Sequence, residues 1–166
     1  RRARARAVID ASGRAGFVAR RERVRVPDTE LQKASVYAHF RFVDRDGGAR
    51  AGDTRLVSLP RLGWMWLIPL DEGVSDLGAE SGFGYRAERY AGDRWFLAGD
   101  AGSFLDPVWS TGVQMALTSG VEAADAVADG LVAGAAAPAR VAAASDRVLP
   151  RRHAFVRRLV PGFYGP

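Results

Sequence analysis

The sequence predicts a mixed α/β (α+β) chain, and three observations carry that expectation. Side chains alternate with a period of two through much of the first hundred positions. After Thr111 the apolar period becomes that of a helix. Between the two regimes lies a loop rich in glycine, aspartate and proline, "GDAGSFLDPVWSTG", residues 99–112.

The elements follow in order. "ARARAVIDASG" alternates small and charged residues, turns apolar and stops at Ser12-Gly13, the pattern of a strand with one wet face and a tight turn. "ASVYAHFRFV", residues 34–43, puts Val36, Ala38, Phe40 and Phe42 on one face of a strand that the turn residues "DRDGG" close. "TRLVSLP" and "WMWLIPL" read as two more strands around a turn at residues 61–63, and "VSDLGAE" as a further one. "RWFLAGD" is a short, largely buried strand with a carboxylate at its end. In the helical part, Val113, Leu117, Val121, Ala124, Val127 and Leu131 lie near one stripe, with Ser110 or Thr111 as cap. A second helix is expected from about Pro138 and is interrupted near Pro150, because an interior proline costs about 3 kcal/mol. "PGFYGP" ends it.

Bulk properties exclude several classes. At 166 residues, 48% hydrophobic and 26% charged, the chain has the balance of one modest soluble domain, expected in the cytoplasm. Glu122, Asp125 and Asp129 break its longest apolar region, so no membrane span is expected, and Arg1–Arg6 leads into no signal-peptide core. Cysteine is absent, which excludes disulfides, thiol catalysis and cysteine metal sites; His39 and His153 stand too far apart in sequence to suggest a metal. The net charge of +5 comes from arginines, with Lys33 the only lysine, set among acids or alternating with alanine. That pattern suits a solvated surface rather than a nucleic-acid stripe, and no nucleic-acid partner is expected.

"GFGYRA", residues 82–87, satisfies G-x-G-x-x-A letter for letter. The dinucleotide mechanism needs a buried strand before it and a helix after it, whereas "ERYAGDR" leads straight into a strand. It reads as a turn.

Chemistry gathers further on. Asp100 ends a strand in a glycine-flanked turn, where a carboxylate can accept hydrogen bonds from ligand hydroxyls, and Gly99 lets a ligand approach closely. Alone, it would be read as a turn or capping aspartate. Pro107 and then Ser110-Thr111-Gly112 follow at loop spacing before a helix start, whose unpaired amides can hold an anion or stabilise developing negative charge. Ordinary capping accounts for "STG" equally well by itself.

"RWFLAGDAGSFLDPVWSTGVQMA" resembles the second flavin-contacting motif of the FAD-dependent monooxygenases related to para-hydroxybenzoate hydroxylase, and "VIDASGR" looks like the strand and turn that return to their FAD domain. "GWMWLIP", residues 63–69, matches the G-W-x-W-x-I-P signature of flavin-dependent halogenases; "FLDPVWSTGV" and "FYGP" resemble their "FIDPVFSSGV" and "FYDP" segments. The resemblance implies a glutathione-reductase-like FAD-binding fold, present in part: residues 1–26 return to the FAD domain, 27–92 form a shortened substrate-domain sheet, and 93–166 carry the flavin-facing loop and helix pair. The N-terminal Rossmann unit is missing, and with it the catalytic lysine, so no catalytic residue is assigned.

The implied cofactor is FAD, reduced by a separate flavin reductase, and the implied reaction oxidises halide with O2 to halogenate an aromatic or carrier-protein-bound substrate of secondary metabolism. Carried over residue by residue, cofactor contacts fall on Gly99, Asp100, Pro107, Ser110, Thr111, Gly112 and Val113, and the halide on the Thr111 and Gly112 amides. Gly63, Trp64, Trp66, Ile68 and Pro69 carry the signature, in which the two tryptophans form a wall beside the channel. Two core tryptophans in a sheet are the plainer alternative. A hydroxylating monooxygenase, an isoprenoid-type reductase and an inactive fragment without FAD binding remain alternatives for the whole.

Overall fold

Two parallel strands from distant parts of the sequence anchor the first of two compact units. The computed structural model describes residues 4–31, 34–42, 46–59, 63–70, 77–81, 84–133, 150–151 and 153–160. The units comprise residues 1–33 with 82–166, and residues 34–81.

In the first unit, β1 (Val8–Asp10) lies parallel to β8 (Trp95–Leu97), with Val8 opposite Trp95 and Asp10 opposite Leu97. Both are apolar runs ending in turn residues, as "VIDASG" and "WFLAGD" predict. The buried Asp10 carboxylate accepts from the backbone N–H groups of Ser12 (3.0 Å) and Val18 (2.7 Å). It thereby closes the turn after β1 and satisfies a first-turn amide of a short helix, α1 (Phe17–Arg21), which the alternation reading missed. Beside this pair, β2 (Arg25–Pro27), β7 (Tyr85–Ala87) and β9 (Ser103–Phe104) form an antiparallel sheet in the order β2-β7-β9. The tail of the "GFGYRA" pattern is therefore strand, not helix, as its rejection as a dinucleotide motif requires.

The long helix α2 (Gly112–Ala133) starts where the change of period places it, but turns a different face inward. An apolar stripe of the expected kind ordinarily packs on the core. Here Val113, Leu117, Val121 and Leu131 are 72%, 67%, 61% and 42% exposed, whereas Ser119, Ala123 and Ala126 are buried. Ala123 and Ala126 pack on Phe96 and Ala91, with Val127 alongside. Small side chains win this face because the helix runs close against β8 and its turn.

In the second unit, β3 (Ala34–Ala38) pairs antiparallel with β6 (Leu77–Ser81), and β4 (Arg55–Leu59) with β5 (Gly63–Leu67). The strand expected over residues 34–43 stops at Ala38: Phe42 takes a left-handed φ of 59° and is fully exposed, so the apolar alternation outruns the pairing. The turn at residues 61–62, the helix from Pro138 to residue 149 and "PGFYGP" lie outside the described residues.

Residues 150–151 and 153–160 are helical. Val156 and Val160 pack with Leu31 and Leu105, and Arg157 binds Asp28 through Nε (2.5 Å) and Nη2 (3.2 Å). His153 is buried, and among the described residues its Nε2 has no hydrogen-bond partner. Burial pulls the imidazole down to about 4, aided by Arg86 and Arg157 and opposed by Asp28 and a hydrogen bond to the Tyr85 backbone. An unfolded histidine titrates near 6.5. Between these values the unfolded chain binds more protons, so this contribution to stability is complete above pH 6.5 and falls away toward pH 4, by up to about 3 kcal/mol. Urea denaturation across that range should show the loss, and His153→Leu should flatten it; an equal slope in the variant contradicts the assignment.

Candidate functional site

The turn after β8 is set by two backbone anchors. The Ala98 N–H donates to the Asp10 carbonyl at 2.9 Å, holding the ends of the parallel strands level. The Gly99 N–H donates to Ser119 Oγ at 2.8 Å, and that hydroxyl donates back to the Met115 carbonyl at 2.7 Å. Gly99 has a left-handed φ of 56°, and a Cβ placed there would stand 2.9 Å from the Ala116 Cβ. The glycine is thus required by its own backbone and by the approach of α2, a stronger reason than room for a ligand.

Asp100 follows in a 3-10 turn, Gly99–Ala101, whose Gly99 carbonyl accepts from the Gly102 N–H at 3.0 Å. Burial pushes its carboxyl above the ordinary value, and the positive charge of Arg14 opposes that shift. A half-buried carboxylate short of water gains from any hydroxyl that donates to it. Tyr85 donates its hydroxyl to the Asp100 backbone carbonyl at 2.6 Å; burial raises that phenol to about 12, so it stays a donor at neutral pH.

The chain then reaches the helix start by a second 3-10 turn, Pro107–Trp109. Asp106 caps it, its Oδ1 accepting from the Val108 N–H at 2.9 Å. Ser110 takes a left-handed φ of 52°, reversing the chain, and the Thr111 carbonyl accepts the first α2 bond from the Met115 N–H at 2.9 Å. Thr111 is therefore the cap position. Gly112, Val113 and Gln114 are exposed, and among the described residues a Cβ added at Gly112 would meet nothing within 4 Å. First-turn amides have no acceptor inside their own helix, so this end offers reachable donors and a partial positive charge.

The structure gathers Gly99, Asp100, Pro107, Ser110, Thr111, Gly112 and Val113 on one strand-turn-helix path, with the Asp100 turn docked on the opening turns of α2. The signature residues Gly63, Trp64, Trp66, Ile68 and Pro69 belong to the other unit. Trp64 and Trp66 share one face of β5, their ring centroids 4.8 Å apart and their planes inclined at 57°. Sequence reasoning missed Asp106, although Asp-Pro opening a turn is a readable signal. It also missed Arg14, Arg25, Tyr85 and Ser119, which only tertiary contact connects to the site. Among the described residues no group of His, Asp and Glu could hold a metal, and no helix is long and apolar enough to cross a membrane.

No protein-family model matches the chain. A 1H-pyrrole-2-carbonyl-(peptidyl-carrier protein) brominase of Pseudoalteromonas luteoviolacea is 26% identical over 75% of this chain and 42% of its own length. A triple mutant of the flavin-dependent brominase Bmp2 superposes with TM-score 0.74 and 26% identity, covering 87% of this chain and 48% of its own. The myxobacterial chondrochloren halogenase CndH, at 21% identity, shares the fold with TM-score 0.79 over 96% of this chain and 47% of its own. In both fold and sequence the chain is similar to flavin-dependent halogenases. It spans less than half the length of these relatives.

Gly99→Ala should force the β8 turn off α2 and destabilise the protein by about 1–3 kcal/mol. Thermal unfolding checks this; a melting temperature equal to that of the parent would remove the claimed close approach.

Proposed function

We propose that this chain carries the flavin-facing part of an FAD-dependent halogenase acting on an aromatic or carrier-bound substrate. The observation that carries the reading is the docking of the Asp100 turn on α2 just behind an open helix start. The residues present suit the cofactor: a desolvated carboxylate stands ready for sugar-like hydroxyls, and exposed first-turn residues offer amides to an electron-rich ring edge or an anion. Bound reduced FAD supplies two electrons and the halide two, which together reduce O2 to water and the oxygen of hypohalous acid.

In this reading Asp100 accepts from the ribityl hydroxyls, and Gly99 and Pro107 shape the path on either side. Ser110 turns the chain so that the Thr111 and Gly112 amides receive the halide, and Val113 opens the helix toward the ring. Trp64 and Trp66, with Gly63, Ile68 and Pro69 around them, contribute the aromatic surface that faces the organic substrate. A flavin reductase supplies reduced FAD, and the protein works in the cytoplasm.

The fold is read as part of a glutathione-reductase-like domain, with residues 1–26 and 93–166 on the flavin side and 27–92 on the substrate side. The exposed Val113, Leu117 and Val121 stripe and the two-stranded parallel sheet support a further layer, since parallel sheets are covered on both faces. A pyrophosphate-binding unit from elsewhere in the protein would supply it. The segment by itself is expected to turn over nothing.

Full-length protein given reduced FAD, oxygen and bromide should yield a product with the paired isotope masses of bromine. Hydroxylated product without halogen would move the reading to a monooxygenase, and saturated product without oxygen to a reductase. Asp100→Asn should weaken FAD binding about tenfold, measured by flavin fluorescence; unchanged affinity contradicts the role given to Asp100.

A further inference from the structure

Two side chains without a part in the flavin reading, Arg25 of β2 and Tyr85 of β7, hold the turns that follow both parallel strands. In the β2–β7 register Arg25 is opposite Ala87 and Pro27 opposite Tyr85, so Arg25 and Tyr85 are diagonal neighbours on one face. The Arg25 guanidinium lies over the Tyr85 ring, 3.6 Å from its centroid. Its Nη1 donates to the Arg14 carbonyl at 2.7 Å, in the turn after β1. The Tyr85 hydroxyl donates to the Asp100 carbonyl at 2.6 Å, in the turn after β8. Tyr85 is 2% exposed, so its ring cannot shift without moving its surroundings.

The consequence for Asp100 is geometric. The peptide plane before it is held through the Gly99 carbonyl, which accepts from the Gly102 N–H at 3.0 Å. The plane after it is held by Tyr85. With both planes fixed, the Asp100 backbone angles are fixed, and with them the direction in which its Cβ leaves the chain. Arg25 ties the turn after β1 to the same face through the Arg14 carbonyl, so the guanidinium that covers the Tyr85 ring is itself held in place. Open α/β sheets bind ligands outside the carboxyl ends of their strands, and these two turns occupy that place.

We propose that the stacked Arg25–Tyr85 pair is a positioning device that aims the Asp100 carboxylate at the cofactor. The proposal rests on the flavin reading of Asp100. Neither Arg25 nor Tyr85 needs to touch the cofactor; both act through the turns they hold.

The test uses the full-length protein. Tyr85→Phe keeps the ring under Arg25 and removes only the hydroxyl. It should weaken FAD binding about tenfold in the parent and less than twofold in an Asp100→Asn background, because the hydroxyl works through Asp100. Equal weakening in both backgrounds, or unchanged affinity in the parent, overturns the proposal. Without FAD, amide exchange at Ala101 and Gly102 should quicken in Tyr85→Phe while the helix amides of α2 keep their rates. If the parent protein takes up no FAD the flavin reading fails by itself, and the clamp is then judged by exchange alone; unaltered exchange overturns it. Should Tyr85→Phe not fold, Arg25→Lys, which keeps the charge but loses the planar stack, should give the same selective weakening.

Discussion

The hydrogen bond from the Gly99 N–H to Ser119 Oγ is the contact on which the rest of the site depends. It brings the end of a parallel strand against a long helix at a separation that only glycine, alanine and serine allow. A bulkier residue at Gly99 would collide with Ala116, and a larger one at Ala123 or Ala126 would push the helix off Phe96. Close packing of small residues thus converts a flexible loop into a fixed relation between a carboxylate and a helix start.

That relation explains why the two parallel strands stand where they do. Asp10 and Asp100 both follow apolar runs, but they do different work. Asp10 is buried and spends its oxygens on the amides of Ser12 and Val18, so it is structural. Asp100 is left with a desolvated carboxylate whose backbone, not its side chain, is held by Tyr85. Two aspartates in similar local sequence are separated in role by which of their oxygens the fold consumes. At the helix start a third aspartate is structural: Asp106 caps the 3-10 turn, its Oδ1 accepting from the Val108 N–H.

Much of this was legible in the sequence because it rests on local rules. Strand β1 and its turn, β4, β5 and β8 follow from alternation and turn residues, and α2 begins where the period changes. The motifs "GWMWLIP" and "DPVWSTGV" point to the flavin-dependent halogenases, the proteins to which the chain is similar in sequence and fold. What was not legible depends on tertiary contact. The stripe of Val113, Leu117 and Val121 is a sound helical pattern, yet it faces out, because the choice of inner face was made by close packing on β8. Strand β3 ends at Ala38 although the alternation runs on, because pairing with β6 ends there. Arg25 and Tyr85 lie sixty positions apart in the chain and carry no motif, so their shared face emerges only once β2 and β7 are paired.

Where the cofactor meets this path decides the role of Asp100 and of the α2 start. A crystal structure of the full-length protein soaked with FAD is the most direct measurement. The account predicts the ribityl chain beside the Asp100 carboxylate and the flavin ring before the amides of Gly112 and Val113. Flavin density elsewhere, with Asp100 in contact only with protein, would contradict it.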